Sequence, residues 1–166
     1  AWSRGLGDVY KRQDIIDLVS ECEKILPHFH IPLQSGSDKI LRLMKRRYMR
    51  NVYETRFDYI KKRIPHACIG SDVIVGFPGE DELEFIETYN FLNSIDISYL
   101  HVFSYSERSN TKSVLIDNKV SKNLKNKRSK LLRELSNSKK LKFYKKNIKN
   151  YHNVLFENEN KNGYIY

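Results

Sequence analysis

The run ACIGSDVIVG (67–76) and the turn FPGE (77–80) that follows it decide the fold class. The density of Val and Ile predicts a buried parallel strand, and the Pro-Gly turn leads into a helix predicted from Asp81 to about Asn93. Two more strands are predicted, in HFHIPLQ (28–34) and ISYLHVFSYS (97–106). Other helices are predicted over 14–26, 35–46 and 51–63. Strands that alternate with helices are typical of a parallel α/β fold.

Polar and Gly-rich residues follow each predicted strand rather than precede it. They stand at 34–37 (QSGS), 76–80 (GFPGE) and 104–108 (SYSER). Binding sites of parallel α/β folds form at the carboxyl ends of the strands, so these three loops predict one ligand site. Ser35 and Asp38 also fit the spacing of a capping box that would begin a helix.

Alternation along the strands places a second polar group on one face of the sheet. The residues that share this face are His30, Gln34, Asp72 and His101. Buried polar side chains need partners, which either a bound ligand or hydrogen bonds within the core can provide. The sequence contains no Ser-His-Asp order, Walker loop or zinc motif. His28 and His30 lack a third ligand at metal spacing, so no metal site is predicted.

The 166 residues carry a formal charge of +10, and one segment accounts for it. Residues 119–150 hold thirteen Lys or Arg and one acid, Glu134, whereas the rest of the chain is close to neutral. Leucines at helical spacing predict one long helix here, interrupted near 136–138, with cationic exposed faces. Such a surface is either simply solvated or contacts the phosphates of a nucleic acid.

The two cysteines and the lack of a long apolar run limit the classes of protein to which the chain can belong. Cys22 and Cys68 cannot form a disulfide framework or a four-cysteine metal site, and both are predicted core residues of a reduced, cytoplasmic protein. The sequence has no stretch of 18 apolar residues, so no transmembrane helix is predicted. No secretory signal is expected. Residues 1–13, AWSRGLGDVYKRQ, resemble a translated library-adapter sequence and are set aside from the fold.

Three longer strings carry a resemblance to a known family. HIPLQSGSDKILRLMKRRY (30–48), SDVIVGFPGED (71–81) and LHVFSYSERSNT (100–111) resemble, in this order, the second half of a radical-SAM methylthiotransferase core. Residues 143–166 resemble the start of the small RNA-binding β-barrel called TRAM. The strings HIPLQSGSD and HVFSYSER favour the branch that acts on N6-threonylcarbamoyladenosine in tRNA over the isopentenyladenosine and ribosomal-protein branches.

The resemblance implies an α/β fold in which residues 14–118 form the carboxyl-terminal half of a partial (β/α) radical-SAM barrel. A basic helical linker would occupy 119–150, and 151–166 would be a truncated TRAM β-barrel. Such enzymes add a methylthio group to C2 of the modified adenosine next to the anticodon, using S-adenosylmethionine and two [4Fe–4S] clusters. tRNA is then the expected partner, in the cytoplasm, and neither DNA nor a membrane is expected.

Carried over position by position, the resemblance assigns two sets of binding residues. Those expected at S-adenosylmethionine are Gln34, Ser35, Ser37, Asp72, Gly76, Glu80, Ser104 and Tyr105. Those expected at the RNA substrate are Arg46, Arg47, Tyr48, Lys139, Lys140, Lys142, Lys145, Lys146 and Lys149.

The chain also departs from the family pattern. The Cys-x-x-x-Cys-x-x-Cys triplet that ligates the family's cluster is absent, so the chain is expected to be an inactive fragment that ligates neither cluster. The family's Arg-Pro-Gly-Thr reads Arg108-Ser109-Asn110-Thr111 here. The alternatives are a basic RNA-binding module without catalysis, or a fragment from the isopentenyladenosine or ribosomal-protein branch.

Overall fold

The computed structural model describes residues 13–109, 111–151, 160–161 and 164–165. Its elements are, in chain order, α1 (Gln13–Glu21), β1 (His28–His30), α2 (Asp38–Leu43), α3 (Arg50–Arg63), β2 (Cys68–Val75), α4 (Glu82–Ser94), β3 (Tyr99–Ser104), a 3₁₀ turn (Lys112–Leu115), α5 (Lys122–Asn147), β4 (Asn160–Lys161) and β5 (Tyr164–Ile165). The predicted adapter segment lies outside the described residues, except for Gln13 at the start of α1.

The strands β1, β2 and β3 form one parallel sheet with β2 in the centre, and Asp72 pairs with His101. This arrangement confirms the predicted parallel α/β fold. β1 is shorter than predicted, because the chain leaves the ladder before Pro32, which has no N–H to donate. It returns only through an isolated bridge between Gln34 and Val73.

The sheet is packed on one face and open on the other. Along β2, Ile69, Val73 and Val75 are at most 1% exposed, whereas Asp72 and Ile74 between them are half-buried. The packed face lies in a core to which α3 and α4 contribute Tyr53, Phe57, Ile60, Phe85 and Leu92. Burying each such apolar side chain contributes roughly 1.5–3 kcal/mol, so the packed face fixes the strand register. The face that carries Asp72 is left open for a site.

The predicted start of α4 at Asp81 is confirmed, whereas the predicted start of α2 at Ser35 is wrong. Asp81 caps α4, since its Oδ1 accepts hydrogen bonds from the amides of Leu83 at 2.9 Å and Glu84 at 3.3 Å. The predicted capping box at the start of α2 is wrong, because the helix begins only at Asp38. The Ser35 hydroxyl instead accepts from the Ser37 amide at 3.2 Å, before the helix starts.

The basic segment forms one continuous helix, α5, of 26 residues. The predicted interruption near 136–138 is wrong. The Ser136 hydroxyl accepts from the Leu100 amide at 2.8 Å and donates to the Leu100 carbonyl at 3.1 Å. Leu100 lies on β3, whose outer edge would otherwise present unpaired backbone groups. The serine therefore fastens the helix to the sheet edge rather than breaking the helix.

The terminal strands β4 and β5 pair in an antiparallel ladder, with Lys161 opposite Tyr164. Most of the predicted TRAM segment (151–166), including residues 152–159, lies outside the described residues. None of the helices in the described part of the chain combines the length and the apolar character needed to cross a bilayer.

Candidate functional site

Four of the residues assigned to S-adenosylmethionine surround one open cavity of about 430 Å³. These are Gln34 from the segment after β1, Asp72 from within β2, and Ser104 and Tyr105 from the end of β3. The other lining residues are Ile74, Phe103, Ser106, Arg108, Thr111 and Ser113. We call this space the rim cavity. Two of the three predicted loops, 34–37 and 104–108, supply lining residues, whereas none of residues 76–80 lines the rim cavity.

Gln34 enters the rim cavity with a backbone that side chains seldom adopt. Its φ is +73°, in the left-handed region that favours glycine. The strand geometry holds it there, because its amide donates to the Asp72 carbonyl at 2.8 Å. Its side-chain Oε1 accepts from Arg46 Nη2 at 3.0 Å. Strained backbone of this kind concentrates at functional sites, so the position supports a ligand role for Gln34.

Ser35 and Ser37 are buried beside the cavity and do not line it. The Ser35 hydroxyl lies 3.2 Å from Thr88 Oγ1 on α4, and the Gly36 amide donates to the same Thr88 oxygen at 3.0 Å. Within the described residues Ser37 Oγ has no hydrogen-bond partner. These contacts make the two serines the supports of the loop that presents Gln34. Nothing in the pattern of the sequence pointed to Thr88.

A buried ion pair between Glu80 and Arg128 joins the turn from Gly76 to Glu80 to α5. The Gly76 amide donates to both carboxylate oxygens of Glu80 at 3.1 Å. Arg128 Nη1 donates to Glu80 Oε1 at 2.7 Å and to the Glu80 carbonyl at 3.0 Å. Burial raises the pKa of the Glu80 carboxyl, against the opposing effects of the Gly76 amide and the Arg128 guanidinium. The Glu80 carboxylate is thus engaged inside the protein and does not line the rim cavity.

Arg128 is a site-shaping residue that the sequence analysis missed. Its side chain is 2% exposed, and its guanidinium lies 5.0 Å from the centre of the Phe85 ring. The prediction of exposed cationic faces did not separate it from the neighbouring lysines. A signal existed in the spacing, because Arg128, Leu132, Leu135 and Lys139 fall on one stripe of a helix.

The loop after β3 is held from two sides. The Tyr105 hydroxyl donates to Ser113 Oγ at 2.9 Å, and its carbonyl accepts from Lys125 Nζ at 3.2 Å. The ammonium of Lys125 also lies 5.2 Å from the centre of the Tyr105 ring. Ser104 contacts Ser129 of α5, with 2.8 Å between the hydroxyl oxygens. The first turns of α5 therefore position the loops that line the rim cavity.

The predicted polar face of the sheet is confirmed for three of its four members. His30 Nε2 lies 3.0 Å and His101 Nδ1 lies 3.5 Å from the same oxygen, Asp72 Oδ1. The fourth member, Gln34, lines the rim cavity with Asp72, but its side chain pairs with Arg46. We call His30, Asp72 and His101 the His-Asp-His cluster.

The residues assigned to RNA divide into exposed and engaged side chains. Arg47, Lys140, Lys142, Lys145 and Lys149 are exposed. Arg46 is bound to Gln34, and the Tyr48 hydroxyl donates to the carbonyls of Pro32 at 3.0 Å and Leu33 at 3.2 Å. Lys146 pairs with Asp96 at 2.8 Å while its side chain stays half-exposed.

Lys139 requires a correction. It is only 8% exposed, and its ammonium donates to the backbone carbonyls of Asn93 at 2.7 Å and Ile95 at 2.6 Å. Burial lowers the pKa of this lysine. Its side chain closes the carboxyl end of α4 and does not reach a surface where RNA could bind.

The two cysteines do not fit the ligand set of an iron–sulfur cluster. Cys22 follows α1 and Cys68 begins β2, both as free, half-buried thiols. A cluster site needs several thiolates brought together at short spacing. No step through a cluster is therefore derived from this chain. The turn at Arg108-Ser109-Asn110-Thr111, whose sequence departs from the family's Arg-Pro-Gly-Thr, is described except for Asn110.

Comparison with known proteins identifies the family. The profile of the Radical SAM superfamily matches residues 5–92. The chain is 47% identical over 135 residues to the threonylcarbamoyladenosine tRNA methylthiotransferase MtaB of Aquifex aeolicus, covering 81% of this chain and 33% of the relative. It is 44% identical over 115 residues to MtaB of Bacillus subtilis, covering 69% of this chain and 26% of the relative.

A second group of relatives is named for a different substrate. The chain is 39% identical over 154 residues to the tRNA-2-methylthio-N(6)-dimethylallyladenosine synthase of Clostridium tetani, covering 90% of this chain and 33% of the relative. The chain thus spans about a third or less of the length of these curated relatives. The parallel sheet, the three ordered motifs and the family profile agree, and the chain belongs to the radical SAM superfamily, with tRNA methylthiotransferases as its relatives.

Proposed function

We propose that this chain is part of a tRNA methylthiotransferase that adds a methylthio group to C2 of N6-threonylcarbamoyladenosine next to the anticodon. One observation carries the choice of substrate: identity is 47% and 44% to two threonylcarbamoyladenosine enzymes and 39% to a dimethylallyladenosine synthase. The activity is proposed for the longer protein, acting in the cytoplasm. The chain itself is proposed to be inactive, because its two cysteines do not fit a cluster.

The rim cavity is the proposed place for part of S-adenosylmethionine. The side-chain amide of Gln34 and the Asp72 carboxylate offer hydrogen bonds to ribose hydroxyls and adenine nitrogens. The Phe103 side chain, 52% exposed, offers an apolar surface beside them. When bound over a cluster, S-adenosylmethionine supplies the radical that removes hydrogen from the substrate, and a methyl group. The role of this chain's residues is to bind and orient the nucleoside part of the cofactor.

Residues 14–118 are proposed as the carboxyl-terminal half of a partial barrel, and 151–166 as the beginning of a TRAM domain. The open face of the sheet supports the first assignment, because His101 and Phe103 are exposed on β3 while Leu100, on the other face of the same strand, is buried. The antiparallel pairing of β4 with β5 is compatible with the second.

A second proposed activity is contact with tRNA along α5. Lys140, Lys142 and Lys145 are exposed on the last turns of this helix, and ordered cations of this kind bind phosphates by releasing counterions. The same helix positions the rim-cavity loops through Lys125 and Arg128. RNA bound on α5 would thus lie on the element that shapes the cofactor site.

The substrate is tested by expressing the complete reading frame in a strain that lacks its own threonylcarbamoyladenosine methylthiotransferase. Mass spectrometry of tRNA nucleosides is expected to show 2-methylthio-N6-threonylcarbamoyladenosine. Methylthiolated dimethylallyladenosine, or a modified ribosomal protein instead, would overturn the choice of branch. The 166-residue chain in the same strain is expected to leave the tRNA unmodified.

RNA contact is tested by titrating tRNA at several salt concentrations with the chain and with a Lys142→Gln/Lys145→Gln variant. Loss of two phosphate contacts is expected to reduce the slope of log K against log salt by about 1.4–1.8. Lys24→Gln/Lys62→Gln, which removes two exposed lysines elsewhere, is the matched control. Binding that ignores salt, or equal losses in both variants, would contradict the role of α5.

A further inference from the structure

The His-Asp-His cluster brings together three side chains that neither the family motifs nor the proposed function uses as metal ligands. The three residues come from β1, β2 and β3, and their ligand atoms all lie within 4.8 Å of one another. His30, Asp72 and His101 are 37%, 25% and 54% exposed at their side chains, so the cluster opens to solvent. We propose that these three residues bind a divalent first-row transition-metal cation, of the Zn²⁺ type.

The spacing of the ligand atoms supports this assignment. Two ligands held at about 2.0–2.2 Å from a zinc ion are separated by about 3 Å at a right angle and about 3.3–3.5 Å at a tetrahedral angle. The observed separations from Asp72 Oδ1 are 3.0 Å to His30 Nε2 and 3.5 Å to His101 Nδ1. Both imidazoles therefore already stand around one carboxylate oxygen at separations that ligands of a single ion adopt.

The types of ligand define the class of ion. Two imidazoles and one carboxylate are the donor set of catalytic zinc sites and of mononuclear iron(II) sites, whereas Mg²⁺ and Ca²⁺ prefer oxygen ligands alone. Three protein ligands leave at least one position for water, which the exposure of His101 allows. The carboxylate supplies the negative charge that offsets part of the charge of the cation.

The strand register is what makes the cluster. His101 lies directly opposite Asp72 on the neighbouring strand, and His30 lies opposite Gly70, two residues before Asp72. Glycine at position 70 makes room for the Tyr99 ring, which occupies the place where a Cβ would stand. The remaining residues of the rim cavity lie further toward the carboxyl ends of the strands. A bound ion would thus sit on the amino-terminal side of the rim cavity and share Asp72 with it.

The inference does not rest on the proposed function, and its test needs no enzyme activity. The complete 166-residue chain is titrated with ZnCl₂ by calorimetry in a buffer that does not chelate metals, and with CoCl₂ by visible absorption. One equivalent of Zn²⁺ is expected to bind, and the Co²⁺ complex is expected to show bands of a site with nitrogen and oxygen ligands.

Variants locate the ion. His101→Ala is the decisive one, because that side chain is 54% exposed and its removal should leave the fold intact, as checked by circular dichroism. His101→Ala and His30→Ala are each expected to weaken Zn²⁺ binding by at least about tenfold. His66→Ala, which removes an exposed histidine outside the cluster, and the double variant Cys22→Ser/Cys68→Ser are expected to bind as the parent chain does.

Each other outcome overturns the proposal. Unchanged Zn²⁺ binding in His101→Ala would place the ion elsewhere. Loss of binding in the cysteine variant or in His66→Ala would assign the ion to those side chains. Absence of any binding tighter than about 1 mM would show that the cluster is only a hydrogen-bonded group within the sheet.

Discussion

Replacing Arg128 by methionine is expected to destabilise the protein strongly at neutral pH and much less at acid pH. The substitution keeps the apolar volume over Phe85 but removes the guanidinium from Glu80 and from Glu82, whose Oε2 lies 3.1 Å from Arg128 Nη2. Arg128 and Glu80 are 2% and 4% exposed at their side chains, so water cannot replace the lost partner. The Glu80 carboxylate would keep only the two hydrogen bonds from the Gly76 amide.

The loss of stability is limited by the response of the buried carboxylate that costs least free energy, which is to take up a proton. From its ordinary pKa of 4.5, protonating Glu80 at pH 7 costs at most about 3.4 kcal/mol, at 1.36 kcal/mol per unit. The lost hydrogen bond from Arg128 to the Glu80 carbonyl adds about 1 kcal/mol. A total of about 3–4 kcal/mol agrees with the cost of breaking buried ion pairs by removing one partner.

The sign of the pH dependence is fixed by the direction of the shift. Burial raises the pKa of Glu80 in the folded protein, so its protonated form favours folding. This contribution to stability is fully present below about pH 4.5, the pKa of Glu80 in the unfolded chain. It is lost as the pH rises through the pKa of Glu80 in the folded protein. Without Arg128 the folded pKa lies higher, and stability falls over a longer range of pH. At pH 5 the protonation cost of the variant shrinks to about 0.7 kcal/mol.

Urea denaturation followed by circular dichroism at pH 5 and pH 7 measures the effect. Arg133→Met, on the exposed side of the same helix, is the control and should change stability by no more than about 0.5 kcal/mol. Arg128→Met/Glu80→Gln should lose most of the extra pH dependence, because a neutral amide needs no counter-charge. A loss below about 1 kcal/mol at pH 7, or an equal loss at both pH values, would refute the role of the pair.

Three further substitutions test the contacts of the helices. Lys139→Met should cost about 2 kcal/mol in urea denaturation, since the buried Ile95 carbonyl and the partly buried Asn93 carbonyl lose their donor, whereas the neighbouring exposed Lys140→Met should cost almost nothing. Ser136→Ala should cost about 1–3 kcal/mol and speed amide exchange at the outer edge of β3, and unchanged exchange would contradict the docking contact. Asp81→Ala should lower the melting temperature by removing the cap of α4, and Asp81→Asn should retain most of it.

The strands and their faces were predictable because they depend on local pattern. The apolar run at 67–76 was predicted to be a buried parallel strand, and alternation placed Asp72 on the face opposite Val73. The start of α2 was less predictable, since the Ser35 hydroxyl had two possible hydrogen-bonding roles. Its hydroxyl could cap α2 or support the loop, and the buried position of Thr88 on α4 decided for the loop.

The charges of α5 show why burial could not be predicted from composition. Lys139 and Lys140 are adjacent and chemically identical, yet one is bound to two backbone carbonyls and the other is exposed. Which lysine faces inward depends on where the end of α4 meets α5, a contact between residues more than forty positions apart. The same holds for Arg128, whose partner Glu80 is 48 positions away.

The parallel α/β fold, the three loops that follow the strands and the resemblance to radical-SAM methylthiotransferases could all be inferred from the sequence. These follow from periodicity and from motifs of consecutive residues, which act through local backbone preferences. The tertiary structure alone decided that His30 and His101 meet at one oxygen of Asp72, and that Arg128 and Lys139 are buried. Those contacts depend on strand register and helix packing, because the free energy of a charged group is set by whatever the fold brings within a few ångströms of it.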